Sequence, residues 1–179
     1  MTQLVVREAL IDDAEEVAGV HVRSWQAAYR GLIDQKILDG LSIADRAEAW
    51  RGFVVEPLPT TLALLVAVRD GTVVGWTSFG SGRDEDGSAD GEIYGIYADP
   101  AAWSTGVGQA LLAAAEERIA NAGHSRAYLW VLDGNERADS FYGRQGWVAD
   151  GVTKIEERPG LTLAEHRRVK VLVTAPRER

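Results

Sequence analysis

An α/β domain, with a mixed sheet covered by helices on both faces, is the fold class that the sequence predicts. Three observations carry that expectation. Strand-like and helix-like segments follow in the order β-ααα-βββ-α-β-α-ββ, which is neither strict β/α alternation nor a simple split into halves. The apolar fraction is 46% and the charged fraction 26%, both near globular averages. A chain of 179 residues suits one domain with one core. That domain is expected over residues 1–173, with 174–179 a frayed tail.

Leu4 to Ala9 reads as the first strand. Asp12 or Asp13 then caps a helix to about Ala28, in which Ala14, Val17, Ala18, His21, Val22 and Trp25 recur at helical spacing. Gly31 breaks it. Asp34 to Asp39 and Ile43 to Phe53 read as two further helices, the second capped by Ser42 and closed off by Pro57 and Pro59. Leu62 to Arg69 is an apolar strand, Asp70-Gly71 a hairpin turn, and Thr72 to Phe79 the returning strand. Residues 81–91, rich in Asp, Glu, Ser and Gly, read as a flexible acidic loop. Glu92 to Ala98 is a strand, Gly106 to Asn121 a helix stopped at Gly123, and Arg126 to Leu132 another strand. Asn135 opens a short helix to Arg144; Trp147 to Glu156 and Glu165 to Val173 close the fold as strands.

Composition excludes several classes of function. There is no cysteine, so disulfides, a thiolate nucleophile and cysteine metal sites are ruled out. That absence also fits a cytoplasmic protein. The net charge is −8 and no Lys/Arg cluster stands out, which argues against nucleic acid and allows a cationic small-molecule partner. No apolar run reaches the roughly 20 residues of a membrane span, and no signal peptide is expected. The three histidines lack metal-ligand spacing, so no metal site is expected. Neither a Gly-Lys-Ser/Thr phosphate loop nor a G-x-S-x-G elbow occurs.

Two stretches carry chemistry. In Trp103-Ser-Thr-Gly-Val-Gly108 two glycines open a long helix after a strand and Pro100. Glycine lets the backbone approach a ligand, and the unpaired N–H groups of a helix start attract an anion such as a pyrophosphate. A dinucleotide fingerprint would need a third glycine where Leu111 stands. In Asn135-Glu-Arg-Ala-Asp-Ser-Phe-Tyr-Gly-Arg-Gln-Gly-Trp147, a capped helix presents Ala138, Phe141 and Tyr142 and turns at Gly146 into the next strand.

Together these stretches resemble the GNAT superfamily of acetyl-CoA-dependent N-acetyltransferases. Its phosphate motif is Q/R-x-x-G-x-G/A, and its later motif is roughly N-x-x-A-x-x-F-Y-x-x-x-G-F/W. The resemblance is strongest from Leu62 to Trp147, and the departure is Trp103, where Gln or Arg is usual. It implies a mixed, mostly antiparallel central sheet, acetyl-CoA as cosubstrate, direct transfer to a primary amine, and a homodimer as one open assembly. It places Ile96, Tyr97 and Ala98 along the pantetheine arm, and Ser104, Thr105, Gly106, Val107, Gly108 and Gln109 around the pyrophosphate. Asn135 would touch the CoA arm, and Tyr142 would give a proton to the leaving thiolate. Some members carry a basic Glu five residues before the Asn; Trp130 stands there. Others carry one fourteen residues before the first motif glycine, where this chain has Glu92. Trp25 and Tyr29, at the end of the first helix, would border the acceptor. A non-catalytic acyl-CoA-binding or sensing domain on the same fold remains an alternative.

Overall fold

The computed structural model describes residues 3–55, 63–158 and 160–172. In chain order the elements are β1 (Leu4–Glu8), α1 (Ala14–Ala28), α2 (Gln35–Asp39), α3 (Ile43–Val55), β2 (Ala63–Arg69), β3 (Thr72–Ser81), β4 (Gly91–Ala98), α4 (Val107–Asn121), β5 (Arg126–Leu132), α5 (Glu136–Arg144), β6 (Val148–Arg158) and β7 (Leu161–Val171). Short 3-10 turns cover 11–13, 85–87 and 100–102. The expected tail at 174–179 and the prolines at 57 and 59 lie outside the described residues. Among the described residues, no helix is long and apolar enough to cross a membrane.

The seven strands form one sheet in the order β1-β2-β3-β4-β5-β7-β6. Every neighbouring pair is antiparallel except β4 and β5, which run parallel. The β2–β3 turn is built as its residues dictate: Asp70 and Gly71 take φ of +52° and +81°, the left-handed pair that matches strand twist in a two-residue hairpin. The closing strands are longer than expected. They run to the turn at Gly160, where Arg158 pairs with Leu161 and closes the ladder.

Helices cover both faces. On one, α4 lays Val107, Leu111, Leu112, Ala115 and Ile119 against Leu65, Phe79, Ile93 and Leu129 of the sheet. On the other, Val17 and Val20 of α1 meet Val66, Val73 and Trp76. Burying a side chain of this size is worth about 1.5–3 kcal/mol, so these two layers dominate the stability.

Two irregularities position the site. In the β3–β4 register Ser78 faces Gly95 while Phe79 faces Ile93, so Tyr94 is an extra residue, a bulge that bends β4. Beyond the bulge β4 leaves its other neighbour: pairing with β5 covers Gly91–Ala127, Glu92–Tyr128 and Ile93–Leu129 and then stops. The two parallel strands splay apart from there.

Candidate active site

The splay opens a cavity of about 480 Å³ whose walls include Gly95, Ile96, Tyr97 and Ala98 of β4 and Leu129, Trp130, Val131 and Leu132 of β5. A strand paired on one side only presents backbone N–H and C=O groups on the other, a template for an extended ligand. The bulge at Tyr94 creates that edge in the middle of the sheet.

One end of the cavity is the start of α4. Gly106 is the residue before the helix and sits at φ +90°, with no side-chain cap on the helix. Ser104 is also left-handed, at φ +62°. The intrahelical ladder begins with Ala110 N–H donating to Gly106 C=O, so the preceding N–H groups have no helical partner. A Cβ on residue 108 would lie 3.3 Å from the Phe141 ring of α5, so glycine keeps the passage between the two helices open. Ser104, Gly106, Gly108 and Gln109 line the cavity. Thr105 and Val107 do not. The Thr105 hydroxyl donates to Ala102 C=O (2.7 Å) and accepts from Arg69, bracing the loop from outside. Val107 is fully buried in the core, which leaves only its backbone for a ligand. The Trp103 indole donates to Ala98 C=O (2.9 Å), and the Arg137 guanidinium stands over its ring.

The middle and far end are aromatic. Asn135 caps α5 by accepting the Ala138 N–H through its side chain (3.1 Å), and it lines the cavity with Ala138, Phe141 and Tyr142. The Tyr142 ring packs against Phe141 and Trp147 and is almost buried. Burial raises its phenol well above the ordinary value of 10, with the neighbouring Tyr97 adding to the shift. Tyr29 and Tyr97 share a hydroxyl–hydroxyl contact of 3.3 Å, and burial raises both phenols. Trp25 lines the same wall and meets Tyr29 edge to face. Behind it, His21 stacks between Trp25, Trp76 and Tyr97 with neither ring nitrogen hydrogen-bonded. Burial, with smaller contributions from Arg46 and Arg158, pulls His21 down to about 3, so it is a neutral packing ring.

Glu92 also borders the cavity, but its side chain is 1% exposed and fully engaged. Arg83 forks onto it through Nη2 (2.5 Å) and Nε (3.0 Å), Arg83 N–H donates at 2.9 Å, and the Tyr128 hydroxyl donates at 2.9 Å. Taking a substrate proton there means dismantling that cluster.

The acidic segment before β4, expected to be flexible, is instead tied to the sheet. Asp84 accepts from the Trp130 indole (2.9 Å), Asp86 pairs with Arg167 (2.7 Å), and Asp90 with Arg126 (3.4 Å). The cations come from β5 and β7, distant in sequence, which is why local composition suggested a solvated loop.

Residues that sequence reasoning missed lie on the β6–β7 hairpin. Lys154, Glu156 and Arg158 of β6, with Leu163 and Glu165 of β7, line the cavity. The signal was present: charges at every second position of β6 mark one face of a strand. Only the register, Lys154 opposite Glu165, shows that this face closes the cavity.

The sequence matches the Acetyltransferase (GNAT) family over residues 10–147. It is 32% identical over 132 residues to YuaI of Bacillus subtilis strain 168, an N-acetyltransferase by name, covering 74% of this chain and 73% of that protein. A mycothiol acetyltransferase of Acidimicrobium ferrooxidans is 42% identical over 88 residues, which are 48% of this chain and 28% of the relative. Among solved structures, the PaiA N-acetyltransferase of Thermoplasma acidophilum in complex with coenzyme A superposes with a TM-score of 0.74. It shares 22% identity, over 94% of this chain and 99% of that one. A second fold neighbour, a GCN5-related N-acetyltransferase from Rhodopseudomonas palustris, gives 0.76 at 22% identity, over 96% of this chain and 98% of the other.

Proposed function

The chain belongs to the GNAT family of acetyltransferases, and from that premise we propose that it moves an acetyl group from acetyl-CoA directly to a primary amine within a ternary complex. One observation carries the reading. The free edge of β4 and the uncapped start of α4 border the same cavity.

The residues fit a CoA thioester. The pantetheine amides would pair with the backbone of Ile96, Tyr97 and Ala98 as an added strand. The pyrophosphate would rest on the N–H groups from Ser104 to Gln109, where the helix dipole favours negative charge. Asn135, its side-chain oxygen already bonded to Ala138, keeps its amide N–H groups as donors for the arm. CoA supplies the activated acetyl group; the chain orients it and manages protons.

Tyr142, which lines the same cavity, would serve the leaving sulfur. Its raised phenol stays protonated at neutral pH and is a weaker acid than a free thiol, near 8.5. It therefore acts as a relay. Its O–H donates to the sulfur as the C–S bond breaks, while the surplus proton on the amide nitrogen restores the phenol.

Calorimetry with CoA, followed by a thiol-release assay across a panel of alkyl monoamines, diamines and amino acids, tests the reading. Tight CoA binding with amine-dependent thiol release supports it. CoA binding without release would make the chain an acyl-CoA-binding domain, and no CoA binding would remove the reading altogether.

A further inference from the structure

Three carboxylates line the cavity among the described residues: Glu92, Glu156 and Glu165. Glu92 is held by Arg83 and Tyr128, as described above. Glu156 accepts from Arg158 Nε at 2.8 Å. Glu165 differs. Its Oε2 is buried and has no hydrogen-bond partner. Lys154 Nζ stands 3.8 Å away, close enough to attract but too far to donate. A buried carboxylate oxygen without a donor is costly, and its persistence in a cavity points to a ligand that brings one.

The surroundings name the ligand. Lys154 Nζ also stands 4.2 Å from the centroid of the Trp130 ring. The cavity thus already stations one primary ammonium between an aromatic ring and the Glu165 carboxylate, the two groups that together recognise such a cation. Trp25 and Tyr29 continue the aromatic wall.

Resting on the transferase reading, we propose that Glu165 is the residue that receives and deprotonates the acceptor, a primary amine that arrives as its ammonium ion. Glu165 Oε2 takes one proton from the ammonium. The neutral amine nitrogen then forms a bond to the thioester carbonyl carbon, and the C–S bond breaks. The second surplus proton passes from the new amide nitrogen through Tyr142 to the sulfur. The proton on Glu165 leaves to solvent. Ammonium and thioester become amide, thiol and one proton, with no oxidant or metal needed.

The electrostatics agree with this role. Burial raises the Glu165 carboxyl above its ordinary value, which makes it a better base than a surface carboxylate. Among the described residues, Lys154 and Arg158 of β6 and Arg83 before β4 lower it, and Glu156 raises it. Tyr29, just after α1, and Tyr97 of β4 face the same charge, which helps to hold their phenols protonated.

The test compares the parent protein with Glu165→Gln and Glu165→Asp, using the best amine of the panel. Thermal melting checks folding and calorimetry with CoA checks the cofactor cleft. The parent should lose kcat/KM as pH falls, with a midpoint above the ~4.3 of a free carboxylate. Glu165→Gln should bind CoA within twofold of the parent, lose on the order of 100-fold or more in kcat/KM at neutral pH, and lose that acidic limb. Glu165→Asp should restore the limb and part of the rate. Turnover by Glu165→Gln with an unchanged pH profile overturns the assignment. A variant that also loses CoA affinity or folding, with no rescue by Asp, shows a structural residue and overturns it too. Failure of the parent to release thiol while binding CoA overturns the transferase reading itself, a result visible before any variant is made.

Discussion

The guanidinium carbon of Arg137 stands 3.8 Å from the centroid of the Trp103 ring. The pairing joins the two motif segments of the chain, the turn before α4 and the first turn of α5. It also bears on the one departure from the family's phosphate motif. Trp103 stands where Gln or Arg is usual and spends its indole N–H on Ala98 C=O, but its ring holds a cation beside the same loop.

Arg137 is therefore expected to supply the charge that Trp103 lacks. Burial and the neighbouring Arg144 lower the Arg137 guanidinium from its ordinary value, so an anion bound beside it would be favoured by both. Arg137→Ala should weaken CoA binding about tenfold, roughly 1.4 kcal/mol, and Trp103→Ala should do much the same by releasing Arg137. Calorimetry at two salt concentrations checks this. Affinities equal to the parent's would place the charge elsewhere.

Gly108 should be intolerant of a branched side chain. A Cβ there already meets Phe141 at 3.3 Å, and further atoms would fill the space between α4 and α5. Gly108→Val is expected to bind CoA at least tenfold more weakly while melting cooperatively. Unchanged affinity in a folded variant would separate the α4 start from the pyrophosphate.

Tyr142→Phe should lower kcat on the order of 10–1,000-fold with little change in CoA affinity, in keeping with usual acid–base contributions. Because burial raises the phenol, Tyr142 should contribute no basic limb to the rate profile up to at least pH 10. Full turnover by the variant would exclude the relay.

His166 bridges Asp133 (2.7 Å) and Asp139 (2.8 Å), fastening β7 to the segment around α5. Burial alone would lower the imidazole, but the two carboxylates outweigh it and hold it above 6.5. A raised folded value means stability that is complete below about pH 6.5 and is lost as pH rises through the folded value. The Tm of the parent should therefore fall over that window, and His166→Gln should flatten the fall. Parallel melting curves for the two proteins would show that the bridge adds no pH-dependent stability.

Arg167, whose side chain is 5% exposed, pairs with Asp86 and Asp150 and so anchors the acidic segment to β7. Arg167→Leu takes the bonded cation from Asp86 and from the largely shielded Asp150, which keeps Val152 N–H and the longer Arg126 pair, and should cost on the order of 1–3 kcal/mol. Denaturant unfolding reads the cost. A loss below about 0.5 kcal/mol would mean that the segment docks by other contacts.

The sequence by itself determined the features that depend on neighbours along the chain. The left-handed turn at Asp70-Gly71, the glycine before α4, the Asn135 cap and the apolar faces of α1 and α4 follow from local conformation and periodicity. So did the two motif segments and the family they resemble. The tertiary structure decided what depends on which strands meet. The bulge at Tyr94 and the end of β4–β5 pairing at Ile93 make the free edge, and no local signal reports where a parallel pair separates. Glu92 stands at a motif spacing that the sequence shows, but the Arg83 and Tyr128 side chains that fold onto it are brought there only by the tertiary structure. Glu165 reads in sequence as one charge among many. Its place in the cavity comes from a hairpin register set opposite Lys154, and the burial that raises its carboxyl exists only once β4, β5, β6 and β7 enclose it.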